Sequence, residues 1–60
     1  MTHETWDAAM KRTDASISRY GTELVKAYEK GDMLWYEEVS IRLGQMADFK
    51  KLLWEVEPKK

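Results

Sequence analysis

Apolar residues in the first half of the chain recur in alternating steps of four and three: Trp6, Met10, Thr13, Ile17, Tyr20, Leu24 and Ala27. Such a heptad seam predicts an α-helix that packs against another helix at a shallow angle. Thr13 is its one weak position, and Met10, Gly21, Val25 and Tyr28 widen the stripe on one side. Thr2 is suited to cap the start, with Glu4 in the first turn, so the helix is expected from about residue 3 to Lys30. Gly21 costs about 1 kcal/mol in a helix interior relative to Ala. Gly21-Thr22 therefore has two readings, a continuous helix or a stop followed by a new N-cap. The seam keeps its phase across the site, which favours continuity. The functional reading of Gly21 is a place where another backbone comes close.

A second pattern runs from Met33 to about Val56. Its central row is Trp35, Val39, Met46 and Leu53; one flank carries Tyr36, Leu43, Ala47 and Trp54, and the other Leu34, Ile41, Phe49, Leu52 and Val56. At about 100° per residue these positions cover an arc of about 240°, where a surface helix needs only about 100°. Between the two patterns stands Lys30-Gly31-Asp32. Gly31 suits the left-handed position that ends a helix, and Asp32 suits the N-cap of the next. A connection of two residues, 31 and 32, makes the helices adjacent and antiparallel. The expected architecture is all-α: one domain over residues 1–60, helices at about 3–30 and 33–56, and a tail at 57–60 that contains Pro58.

The hairpin core predicted from the seams is Trp6, Met10, Ile17, Tyr20 and Leu24 against Trp35, Val39, Met46 and Leu53. One helix covers one stripe, so an apolar flank of the second helix is left without a cover. A symmetric pair of hairpins, forming a four-helix bundle, would bury it. The residues expected at a dimer or partner interface are Leu34, Tyr36, Ile41, Leu43, Phe49, Leu52 and Trp54. The spare flank has a second reading, a surface reserved for a different protein.

Composition narrows the function classes. A chain of 60 residues makes at most one small domain, and a monomer of that size is marginal. Cysteine is absent, which removes disulfides and thiolate chemistry, and the net charge of −1 gives no bulk attraction to nucleic acid or to an anionic membrane. No apolar run approaches the roughly 20 residues of a membrane span and no signal-peptide pattern opens the chain. The expected compartment is cytoplasmic.

Candidate chemistry is thin. Arg12, Arg19 and Lys26, seven residues apart, with Lys30 one turn later, form a basic row on the first helix. Such a row is most simply a solvated face; its functional readings are contacts to phosphates or to an acidic protein partner. No aromatic interleaves it for base stacking, and residues 1–30 carry five basic and five acidic side chains. His3, the single histidine, stands near Glu4 and Asp7, too few donors for a strong metal site. Asp7 four before Lys11 and Glu38 four before Arg42 read as helical ion pairs. Adjacent Glu37 and Glu38 diverge on a helix, and Ser16, Ser18 and Ser40 have no histidine in range to activate them. No catalytic residue, metal or cofactor is expected, and the protein reads as a non-enzyme. Trp54 and Tyr36, on a flank, are the aromatic candidates for anchoring a partner.

The length, the Met-Thr start, the two helices and the turn near residue 31 together resemble the Rop-like family of plasmid copy-number regulators. That resemblance implies a dimeric four-helix bundle and, for the family, RNA contact through helix 1. The positions of matching spacing are His3, Met10, Asp14, Ser18 and Val25, which carry neither the basic nor the stacking groups of that face, so no site residue is carried over. More loosely, the chain is similar to small accessory proteins of temperate phages, which dimerise and occupy a surface on a host protein. The expected function is a non-enzymatic, dimeric hairpin acting through protein–protein contact, a phage- or plasmid-type regulator. The alternative is an RNA- or DNA-binding bundle that uses the basic row.

Overall fold

In the computed structural model, which describes residues 2–58, two helices pack side by side: α1, His3–Lys30, and α2, Met33–Glu55. The tail positions Lys59 and Lys60 lie outside the described residues. The chain forms a slab 47 Å long, 14 Å wide and 10 Å thick.

The ends of both helices are set by local chemistry. Thr2 is extended and its hydroxyl accepts from the Thr5 amide at 3.1 Å, which satisfies one of the orphan donors of α1. At the other end the Gly31 amide donates to the Tyr28 carbonyl and the Asp32 amide to the Ala27 carbonyl, the two bonds of a Schellman ending. That ending requires a left-handed residue, and Gly31 has φ 70°. Asp32 then caps α2, its Oδ1 accepting from the Trp35 amide at 3.0 Å. Termination, reversal and initiation are completed within Gly31 and Asp32, so the helices return antiparallel.

α1 is continuous through Gly21. The Thr22 hydroxyl, which could have capped a new helix, instead donates back to the Ser18 carbonyl at 3.1 Å. Val56 follows the last turn of α2, and its amide donates to the Leu52 carbonyl.

The contact line between the helices follows the two seams. Trp6, Met10 and Leu53 form its densest cluster, and Ala27 and Val39 are also buried. Ile17, Tyr20, Leu24, Trp35 and Met46 are half-buried along the same line. Thr13 is also buried, at 3% exposure, with its hydroxyl satisfied by the Ala9 carbonyl at 2.7 Å. A threonine is tolerated in this seam because the preceding turn supplies the acceptor its hydroxyl needs.

The open end of the hairpin is closed by Trp6. Its indole Nε1 donates to the Leu53 carbonyl at 2.6 Å. Leu53 lies in the last turn of α2, where carbonyls lack intrahelical partners, so Trp6 of α1 caps α2 across the interface. The Trp54 ring meets the Trp6 ring edge-on at 5.4 Å. Trp6 thus meets both Leu53 and Trp54 in the last turn of α2. Near the turn, Tyr28 meets Tyr36 with ring centroids 6.1 Å apart, and the Lys30 ammonium lies 5.7 Å from the Trp35 ring centroid.

Trp6→Phe keeps most of the packing but leaves the Leu53 carbonyl unpaired. It is expected to cost about 2 kcal/mol, which lowers the melting temperature by roughly 10 °C in a domain of this size, measurable by circular dichroism. An unchanged melting temperature would show that the indole bond contributes nothing.

Candidate interaction surface

Every helix of the slab has one neighbour, so each broad face of the hairpin is open. α2 is apolar nearly all the way round, and α1 covers only one side of it. Several large side chains therefore stand in solvent in a single copy: Leu34 is 81% exposed, Ile41 58%, Leu52 56%, Trp54 54% and Phe49 44%. Tyr36 and Leu43 are half-buried at the edge of the contact line. On α1, Val25 and Tyr28 are exposed as well.

These residues do not make one surface. Helical rotation of about 100° per residue separates them onto two sides of the slab, and the contacts agree. On the first side, Leu24, Val25, Tyr28 and Tyr36 line one hollow. Further along this side Asp14 on α1 reaches Lys50 on α2 at 2.7 Å, and Trp54 meets Trp6 edge-on near the open end. Leu43 belongs to this side too. On the second side, Phe49 of α2 faces Thr5, Ala8, Ala9 and Arg12 of α1 across an open groove of about 580 Å³. Leu34, Ile41 and Leu52 lie toward this side, on the outer edge of α2.

The seven interface candidates thus split. Tyr36, Leu43 and Trp54 lie on the Tyr28 side, where α1 also contributes apolar residues. Leu34, Ile41, Phe49 and Leu52 lie on the Phe49 side, where α1 contributes small and charged ones. Sequence reasoning had named both flanks of α2 but not the α1 half of the first surface. The signal was present in the run Met10, Gly21, Val25 and Tyr28 beside the seam.

The basic row is on the Phe49 side. Arg12, Arg19, Lys26 and Lys30 are exposed, and Arg12 forms one wall of the groove opposite Phe49. Among the described residues none of the four is within 4.0 Å of a carboxylate. The other ion pairs are local: Arg42 with Glu38 at 3.1 Å, and His3 with Asp7 at 3.3 Å. Asp7 therefore faces back to His3 and not forward to Lys11 as the sequence spacing suggested. Among the described residues no three histidine or acidic side chains converge as a metal site would need. No helix among them is long and apolar enough to cross a membrane.

The class defined by these features is an all-helical two-helix hairpin with apolar side chains exposed on both broad sides. Compared with known protein families, curated proteins and solved structures, the chain matches none.

A side chain as open as Leu34 contributes little to the fold of one hairpin. Leu34→Ser should change unfolding free energy by less than about 0.5 kcal/mol, read from urea denaturation. A loss above about 1.5 kcal/mol would mean that Leu34 is buried by a partner in solution.

Proposed function

We propose that this protein is a non-enzymatic helical hairpin that pairs with a second copy and acts by occupying the surface of another protein, in the manner of small phage- or plasmid-encoded regulators. The observation that carries the reading is the set of large apolar side chains left exposed by a single hairpin. Burying one such side chain is worth about 1.5–3 kcal/mol, and a chain of this length has little stability to spare. Pairing supplies that burial on one side and leaves the other for a target, which fits the division of exposed residues between two sides. The resemblance to Rop-like regulators points to the same assembly, a dimeric four-helix bundle.

The reading predicts a dimer in sedimentation equilibrium at micromolar concentration, with a melting temperature that rises with protein concentration. A cooperatively folded monomer whose melting is independent of concentration overturns it.

The second reading, contact with RNA or DNA, is favoured by the four basic side chains of α1 that have no carboxylate partner among the described residues. It predicts gel-shift affinity that falls about linearly on a logarithmic salt scale and is lost in the Arg12→Ala, Arg19→Ala double variant. Under the protein-contact reading the chain gives no salt-dependent shift.

A further inference from the structure

We infer that the second copy docks on the Tyr28 side, with Tyr28, Val25 and Gly21 of α1 and Tyr36, Leu43 and Trp54 of α2 meeting their counterparts, while the Phe49 side stays open. This rests on the dimeric reading above and names its surface.

A two-fold interface brings the same patch of both copies together. On the Tyr28 side both helices are apolar: Val25 and Tyr28 are exposed on α1, and Trp54 is exposed beside half-buried Tyr36 and Leu43 on α2. Asp14 and Lys50, which cross this side, already neutralise each other at 2.7 Å. Asp7, one heptad step before Asp14 on the same side, is held by His3 at 3.3 Å, so each carboxylate on this side already has a partner within its own hairpin. The Phe49 side is less suited to such pairing, because charged side chains of both signs, Glu4 and Arg12, line its groove. Its α1 half carries Arg12 and Arg19, which would face either the same row of the partner or the Leu34–Ile41 edge. The first opposes like charges and the second buries cations against apolar groups, and both are unfavourable.

The area lies at the low end of stable interfaces. A broad side of 47 by 14 Å presents roughly 650 Å² before side-chain relief is counted, against about 800 Å² per partner in a standard interface.

Gly21 leaves room for close approach on this side, as Gly44 does on the outer face of α2. It lies near the middle of α1 on this side, its φ is ordinary for a helix, and a Cβ built on it would meet nothing within 4 Å. Nothing within one hairpin therefore requires glycine there, although glycine weakens a helix interior. With no side chain at that point, a second backbone can come close to α1.

Three proteins test the assignment by light scattering across a dilution series, with helicity followed by circular dichroism: the native chain, Gly21→Leu and Ile41→Glu. The native chain and Ile41→Glu are expected to be dimers, while Gly21→Leu stays helical and dissociates at least about 100-fold more readily, the loss typical of blocking a central contact. If Gly21→Leu loses helicity, Tyr28→Glu replaces it, since Tyr28 is 69% exposed in one copy and gives up only its ring contact with Tyr36 within the hairpin. Dissociation by Ile41→Glu, or a dimer unaffected by Gly21→Leu or Tyr28→Glu, overturns the docking side while leaving the dimer intact. A native chain that is monomeric throughout the series overturns the dimeric reading itself, and this inference with it.

Discussion

A helix surrounded by a single neighbour can hide only one side of itself, and α2 is apolar on more sides than one. Two helices laid flat have no third element to close over them. Half the packing surface available to a larger bundle is thus missing, and the slab is one helix thick in its 10 Å dimension. The burial pattern follows from that geometry. Trp6, Ala27, Val39 and Leu53 lie on the line between the axes and are buried, whereas Leu34 and Ile41, turned away from it, are not.

The same constraint explains why the ends carry so much specific chemistry. With a thin core, the hairpin relies on directional contacts that a thicker core makes less necessary. The Schellman ending at Gly31 and the Asp32 cap hold one end, and the bond from Trp6 to the Leu53 carbonyl holds the other. Between them Asp14 and Lys50 tie the helices midway on one side. That pair is partly exposed and contributes little energy, but it adds to the register already set at the two ends.

Functionally, the side chains that can do chemistry are dispersed. His3 is engaged with Asp7, Glu38 with Arg42, and the serines stand apart from the histidine. What converges is apolar area on the Tyr28 side, and apolar area beside cationic side chains on the Phe49 side. The hairpin therefore has two distinct sides, one apolar on both helices and one where apolar and charged side chains stand together. Recognition through such surfaces depends on complementarity of shape and charge, and not on a reactive group.

Much of the hairpin was legible because its determinants are local. Heptad steps from Trp6 to Ala27, the capping types at Thr2 and Asp32, and the glycine demanded by a left-handed ending at Gly31 each act within a turn or two of chain. Of the seam residues, Trp6, Met10, Val39 and Leu53 are buried, whereas Ile17, Tyr20, Leu24, Trp35 and Met46 stay half-buried because a single neighbour covers only part of each. Other features were settled between helices. The seating of Trp6 on Leu53, and the pairing of Lys50 with Asp14, depend on how long side chains lean across a gap whose register no single helix specifies. The division of the exposed apolar residues into two sides is of the same kind. Periodicity gives each helix its own angular pattern, but only the packing of α1 against α2 fixes which flank of one joins which flank of the other, and so which side chains share a surface.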